Sequence, residues 1–263
     1  MANFNFVEEC MGTVFVFQGR SDLEEPDLLT AIKRACEKLH EADRIFSLYK
    51  PESPLSRLAR GETSVAECPP AVDAVWNLCE DWEKATGGYF KAFTPQHTFD
   101  PSGLVKTWAA QQAIDSLLAQ GVRDFTLNSG GDIWLSDELS LDSDWKVGIA
   151  KPVTIAADDA GVLTVVNLKE TPYRAVATSG VAERGEHIWN PSSGEMAKSE
   201  LVQVTVLAAD LVTADVWATA AFAEGPNALN RISKEPGVEA LFVFQDGRID
   251  GTEGFAEVLR GSI

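Results

Sequence analysis

The sequence predicts an α+β fold, with helices and sheets in different parts of the chain. Apolar residues recur at helical spacing mainly before residue 121, and strand-like patterns dominate after residue 124. A run of helices followed by a run of strands is typical of α+β proteins, whereas regular strand–helix alternation would favour a doubly wound sheet. The length of 263 residues is sufficient for one large domain or two small ones.

The first half of the chain contains one predicted strand and three predicted helices. Residues 11–18 alternate as a strand does, and residues 26–42 carry apolar side chains on one helical face, with Pro26 in the first turn. Apolar residues at helical spacing predict two further helices, over residues 70–86 and 102–120. The glycines that follow each segment mark where these helices end.

The second half contains most of the predicted strands. They cover residues 125–136, 145–150, 161–168, 173–180 and 201–209. A fourth helix is predicted over residues 213–224, and residues 239–252 resemble a hairpin that turns at Asp246 and Gly247.

The charge balance restricts the kind of partner. The chain has 22 basic and 40 acidic residues, a net charge of −18. Such a surface repels nucleic acid and anionic membranes. A phosphorylated ligand would therefore need a local source of positive charge at its binding site, such as a metal ion, a helix N-terminus or a single lysine.

The cysteines and the N-terminal sequence suggest a reducing compartment. None of the four cysteines forms a C-x-x-C pair, and Cys36 and Cys79 lie in apolar helical patterns that indicate buried thiols. We see no signal peptide and no membrane span, so we expect a cytoplasmic protein.

Two glycine-containing stretches have both a structural and a functional interpretation. NSGGD at 128–132 follows an apolar strand, and its backbone could form a bulge or approach a phosphate. In FDPSGLVKTW at 99–108, Asp100 could cap a helix that begins near Pro101, or Lys106 and the helix start could meet an anion. The chain lacks a P-loop, a G-x-G-x-x-G fingerprint and a G-x-S-x-G elbow.

Asp215 and Thr219 lie four residues apart in the apolar segment LVTADVWATAAFAEG. Residues at this spacing share one helix face. If Thr213 is the N-cap, Asp215 lies in the first turn, where a carboxylate suits the helix dipole. A pair of oxygen ligands on one face would alternatively suit Mg²⁺, which often takes its remaining ligands from phosphates.

His187 is one of three histidines and lies in the loop-like stretch TSGVAERGEHIWNPSSG at 178–194. A histidine in such a stretch can be structural, or it can transfer protons near neutral pH. His40 is expected in a helix and His97 in a loop.

Seven stretches in order resemble the ApbE family of FAD:protein FMN transferases. They are MGTVF (11–15), DRIFSLYKPESPLSRL (43–58), TGGYF (86–90), DPSGLVK (100–106), LNSGGDI (127–133), ATSGVAERGEHIWNPSSG (177–194) and VTVLAADLVTADVWATAAFAEG (204–225). The resemblance implies a single α+β domain over residues 1–263, with mixed or antiparallel sheets flanked by helices.

The resemblance also implies an activity and a site. Family members bind FAD with Mg²⁺, transfer FMN to a Thr or Ser of an acceptor flavoprotein through a phosphoester bond, and release AMP. The family pattern assigns the metal to Asp215, Thr219 and the carbonyl of Gly103. It gives His187 the role of proton acceptor, with Asp215 as the other catalytic candidate. The FAD site would be lined by Met11, Tyr49, Tyr89, Phe90, Lys91, Asp100, Lys106 and Ile188.

Two positions differ from the usual family pattern. Lys91 replaces the aspartate of G-x-F-D, and Thr107 replaces the glycine of K-G. These departures leave open an FAD-binding protein without transfer activity. A further alternative is a Mg²⁺-dependent hydrolase, in which water replaces the acceptor hydroxyl and splits FAD into FMN and AMP.

Overall fold

A computed structural model describes residues 2–94, 98–139, 146–152, 161–180 and 200–261. The described residues form two compact units. Unit 1 lies within Met1–Ala85, Lys91–Gly130 and Ser136–Ser140, and unit 2 lies within Thr86–Phe90, Gly131–Leu135 and Leu141–Ile263. The expectation of a single domain stays a prediction.

Unit 1 contains three antiparallel strands and four helices. Its strands are β1 (Ala2–Cys10), β2 (Thr13–Ser21) and β3 (Asp124–Ser129), with β2 paired to both neighbours. Its helices are α1 (Glu25–Phe46), α2 (Pro54–Ala59), α3 (Pro70–Ala85) and α4 (Ser102–Ala119), with a 3-10 turn at Val65–Glu67.

The core of unit 1 is formed by the apolar residues that alternate along its strands and recur on one face of its helices. Phe15 and Phe17 on β2, and Phe125 and Leu127 on β3, are fully buried alternate residues of their strands. Helices α1 and α4 pack against each other through apolar faces. This burial is the main stabilising contribution, at about 25 cal/mol per Å² of apolar surface.

Among the described residues, unit 2 contains seven strands and three helices. Strands β4 (Asp132–Leu135), β7 (Ala175–Gly180), β8 (Leu201–Ala208), β9 (Glu239–Phe244) and β10 (Ile249–Gly251) follow one another in that order through antiparallel pairs. Strands β5 (Lys146–Ala150) and β6 (Val162–Asn167) form a separate antiparallel ribbon. The helices are α5 (Leu211–Glu224), α6 (Ala228–Ile232) and α7 (Glu253–Arg260).

The centre of unit 2 is formed by β8 and α5. All eight residues of β8 are buried, as expected for a strand paired on both edges and covered on its faces. Helix α5 packs on β7 and β8, and eleven of its residues are buried. A helix that is apolar on nearly every side belongs in a core.

The structure confirms the α+β class and antiparallel sheets, and it corrects several boundaries. The strand predicted over 11–18 is the second arm of a hairpin, because Met11 and Gly12 have φ of 55° and 70° and form its turn. The strand predicted over 125–136 is two strands, interrupted at Gly130 and Gly131. The hairpin at Asp246–Gly247 and the helices near 26–42, 70–86 and 102–120 are confirmed.

The cysteines are free, and three of the four are buried. Cys36 and Cys79 are 5% and 2% exposed, which confirms the prediction of buried thiols, and burial raises the pKa of each to about 12. In the described ranges, no helix is long and apolar enough to cross a membrane.

Candidate functional site

Helix α5 carries the two oxygen ligands predicted from the sequence, and its start differs from the expectation. Asp210 is the N-cap, since its carboxylate accepts hydrogen bonds from the Thr213 amide at 2.9 Å and from the Thr213 hydroxyl at 2.7 Å. Thr213, which the sequence allowed as a possible cap, is the third helical residue instead. Asp215 therefore lies beyond the first turn, and the helix start does not explain why a carboxylate stands there.

Asp215 is only 8% exposed, although it carries an ionisable group. Burial of a carboxylate is costly unless polar or ionic partners compensate it. Thr219 lies one turn later on the same face, and its hydroxyl is 3.2 Å from the hydroxyl of Ser179 on β7. Helix α5 thus presents a buried carboxylate and a hydroxyl toward the β7 side of unit 2.

A hydrogen-bond network fixes the β7 residues beside Thr219. The Thr178 amide donates to Asp132 on β4 at 3.1 Å, and the Thr178 and Thr205 hydroxyls lie 2.9 Å apart. Ser179, Thr205 and Asp132 are themselves buried. Neither Ser179 nor Asp132 was a candidate in the sequence, although both belong to the stretches that resemble the family; a polar residue in a buried strand was the available signal.

The donors of unit 2 suit a hard cation. A carboxylate and neutral hydroxyls are the ligand types that Mg²⁺ prefers, and Mg²⁺ commonly uses few protein ligands. Within the described ranges, no group of three or more His, Cys, Asp or Glu side chains is arranged to hold a metal. Asp215 and the Thr219 hydroxyl are the protein oxygens that would be available to Mg²⁺ here, and a bound phosphate or water would supply the remaining ligands.

The start of α4 in unit 1 holds Gly103 and Asp100. The Asp100 carboxylate accepts from the Ser102 amide at 3.0 Å and also from the Ser102 hydroxyl. Asp100 thus anchors the helix start as expected, while Pro101 occupies the N-cap position and not the first helical one. Gly103 is the second helical residue, and its role as a metal ligand stays a prediction.

The two residues that depart from the family pattern, Lys91 and Thr107, both lie in unit 1. Lys91 forms an ion pair with Glu83 at 3.3 Å, with both side chains partly exposed. Thr107 is fully buried in α4, and its hydroxyl donates to the Leu104 carbonyl at 3.1 Å. Each replacement is accommodated locally. Lys106 lies on the same helix, and its role toward FAD stays a prediction.

The aromatic candidates differ in exposure. Tyr49 in unit 1 is 98% exposed, whereas Phe90 in unit 2 is 3% exposed. Phe90 is held by a hydrogen bond from its amide to the Thr86 hydroxyl at 3.0 Å. Tyr89 is partly exposed, and the Arg231 guanidinium lies over its ring, 5.3 Å from the centroid. Phe90 is therefore a packing residue of its segment, while Tyr89 and Tyr49 have ring surface available.

Three remaining candidates complete the set. Met11 is in the hairpin turn between β1 and β2, in unit 1. His187 and Ile188 lie outside the described residues, as does His97. His40 is in α1, as predicted, where its ring contacts Glu8 at 2.9 Å and the Cys10 sulfur at 3.5 Å.

Within the α+β fold, the buried Asp215 carboxylate and the Thr219 hydroxyl on one face of α5 form a candidate cation-binding site. The family model described as "ApbE family" matches residues 91–242. This match covers more than half of the chain, and the chain belongs to the ApbE family.

Curated relatives carry one name. An FAD:protein FMN transferase of Klebsiella pneumoniae is 28% identical over 158 residues, covering 57% of this chain and 46% of that protein. One of Vibrio cholerae is 26% identical over 176 residues, covering 64% and 49%. The chain thus spans about half the length of the curated relatives it matches.

Solved structures share the fold over nearly the whole chain. The ApbE protein of Thermotoga maritima has a TM-score of 0.82 at 20% identity, covering 98% of this chain and 100% of that one. The flavin transferase ApbE of Vibrio cholerae has a TM-score of 0.80 at 19% identity, covering 98% and 99%. At this identity the similarity establishes the fold.

Proposed function

We propose that the chain is a Mg²⁺-dependent FAD:protein FMN transferase that attaches FMN to a Thr or Ser of an acceptor flavoprotein. Family membership and the names of the curated relatives support this proposal. The observation that carries it is the buried Asp215 with Thr219 on the same face of α5. A buried carboxylate beside hydroxyls is suited to a cation that accompanies a pyrophosphate.

The proposed reaction breaks the phosphoanhydride bond between the two halves of FAD and forms a phosphoester bond to the acceptor. The acceptor hydroxyl oxygen attacks the phosphorus of the FMN half, the bond from that phosphorus to the bridging oxygen breaks, and AMP leaves with that oxygen. The hydroxyl proton passes to a base. When bound, Mg²⁺ would mask the charge of the pyrophosphate and of the departing AMP.

The residues of this chain have separate proposed roles. Asp215 and Thr219 hold the cation in place within the strongly acidic protein. Ser179 orients the Thr219 hydroxyl through their 3.2 Å contact. Tyr49 and Tyr89 offer ring surface to the flat parts of FAD. The cytoplasmic location expected from the sequence stays a prediction.

The test of this function is AMP release from FAD with Mg²⁺, in the presence and absence of an acceptor flavoprotein domain. A transferase releases AMP only with the acceptor and leaves the acceptor covalently yellow. AMP release without acceptor would show a hydrolase, and tight FAD binding with no AMP would show a carrier. Either of these outcomes contradicts the proposal.

His187 is proposed as the base that accepts the hydroxyl proton, with Asp215 as the alternative. A general base typically contributes about 10²–10⁴ in rate. His187→Ala is therefore expected to slow transfer by that factor, to leave FAD affinity nearly unchanged, and to remove the acidic limb of the pH–rate profile. If the variant keeps that limb, or loses FAD affinity in proportion to rate, the histidine is structural and Asp215 becomes the candidate base.

A further inference from the structure

Arg231 contacts the segment Thr86–Phe90 of unit 2. Gly87 and Gly88 have φ of 65° and 84°, and Thr86 is fully buried. Arg231, at the end of α6, lies against this segment at two points: its guanidinium covers the Tyr89 ring, and its Nη1 lies beside Gly87. None of the sequence motifs includes Arg231.

Arg231 is fixed by the last residue of α5. Its Nε and Nη2 donate to the two carboxylate oxygens of Glu224 at 2.8 Å and 3.0 Å. The side chain of Glu224 is only 8% exposed, whereas that of Arg231 is 38% exposed, so the carboxylate side of this bidentate pair is shielded from water. The carboxylate raises the pKa of Arg231, so the guanidinium stays charged.

The third nitrogen of the guanidinium, Nη1, lies beside Gly87. A larger residue at position 87 would displace the arginine. A Cβ at Gly87 would lie 2.8 Å from Nη1 of Arg231. Among the described residues, a Cβ at Gly88 would meet no heavy atom within 4 Å. The two adjacent glycines share a left-handed backbone, but only Gly87 makes room for the arginine.

We propose that Arg231 is a positioning residue for the flavin half of FAD, acting through Tyr89. This inference rests on the proposed function, in which Tyr89 contacts the flavin. Because Glu224 engages two of its nitrogens and Gly87 borders the third, Arg231 orients the Tyr89 ring and does not itself bind phosphate. A guanidinium on one face of the ring leaves the opposite face for a flat ligand.

The arrangement also links Tyr89 to the cation ligands within unit 2. Asp215, Thr219 and Glu224 belong to the same helix, α5. Glu224 fixes Arg231, and Arg231 fixes Tyr89. The flavin contact and the cation ligands are thus set by one rigid element.

The test compares Arg231→Met with Tyr89→Leu and with the double variant, using FAD and FMN fluorescence titrations. Arg231→Met is expected to weaken binding of FAD and FMN alike by about three- to tenfold. It should add nothing in the Tyr89→Leu background, because its effect passes through that ring. ADP lacks the flavin. Its dissociation constant, measured by competition with FAD, should therefore be the same for the wild type and for Arg231→Met.

Two matched controls separate positioning from general stability. Arg248 lies over the Phe244 ring at 3.5 Å and pairs with Asp250 at 3.4 Å, so Arg248→Met removes a similar contact elsewhere and should leave flavin affinity unchanged. Gly87→Ala should reproduce the Arg231→Met effect by displacing the guanidinium, while Gly88→Ala carries only the backbone strain. Circular dichroism checks that each variant is folded.

The outcomes distinguish this inference from the proposed function. If the wild type binds FAD and transfers FMN while Arg231→Met binds normally, only the role of Arg231 is wrong. Additive losses in the double variant also contradict it, because they show that Arg231 acts independently of Tyr89. If the wild type binds no flavin, both the function and this inference fail.

Discussion

At the residue scale, two carboxylates of the same helix have different roles. Asp210 is the N-cap of α5, and its carboxylate accepts two hydrogen bonds from Thr213. Asp215 is buried one turn further along. The sequence predicted the shared face of Asp215 and Thr219 but did not fix the cap, because Asp and Thr are both good caps and Asp210 and Thr213 lie only three positions apart.

Replacing these two carboxylates is expected to have opposite consequences. Asp215→Asn keeps the shape of the side chain and removes its charge, so we expect Mg²⁺-dependent transfer to fall by about 10²-fold or more with little loss of stability. Asp210→Ala removes a cap, so it should lower the free energy of unfolding by about 0.5–2 kcal/mol and leave transfer intact.

Transfer rates across a Mg²⁺ titration and urea unfolding measure the two effects. Normal transfer by Asp215→Asn would remove Asp215 from the metal site. Loss of transfer in Asp210→Ala at temperatures where it is folded would show that the cap itself takes part in the site.

At the element scale, the sequence predicted the turn at Asp246 and Gly247 but not the turn at Met11 and Gly12. Asp246 and Gly247 carried a clear hairpin signal, and the structure confirms it. The β1–β2 turn at Met11 and Gly12 carried no such signal, because methionine seldom adopts φ of 55°. Short helices such as α2 and α6 were missed because five or six residues show little periodicity.

The glycine that ends β3 gives a prediction about stability. Gly130 has φ of 60°, and a Cβ there would lie 2.3 Å from the Thr13 hydroxyl oxygen, while its amide donates to Val14 at 3.0 Å. Gly130→Ala is expected to cost about 2–3 kcal/mol of unfolding free energy, because steric overlap is added to backbone strain.

Gly121 is the matched control for this substitution. It has φ of 85°, and a Cβ there would meet no described heavy atom within 4 Å. Gly121→Ala should therefore cost only about 1–2 kcal/mol. Thr13→Ala should reduce the penalty of Gly130→Ala in urea denaturation. Equal costs at the two glycines would contradict the steric account.

At the scale of the whole molecule, composition and periodicity predicted the class of fold. They did not predict which side chains from distant parts of the sequence are in contact. The core residues of α1, α4 and β8 follow directly from apolar patterns. The pairing of Arg231 with Glu224 and Tyr89 is not visible in the sequence, because it joins residues 7 and 142 positions apart through side-chain geometry. Family resemblance predicted site residues that periodicity alone left open.

The measurement that tests the account most directly is the intact mass of an acceptor flavoprotein domain after reaction with this protein, FAD and Mg²⁺. We predict that the acceptor gains the mass of one FMN phosphoester, that AMP appears in equal amount, and that both require Mg²⁺. Replacing the modified Thr or Ser of the acceptor with Ala should abolish the mass gain. An unmodified acceptor, with AMP absent or released regardless of the acceptor, would contradict the transferase assignment.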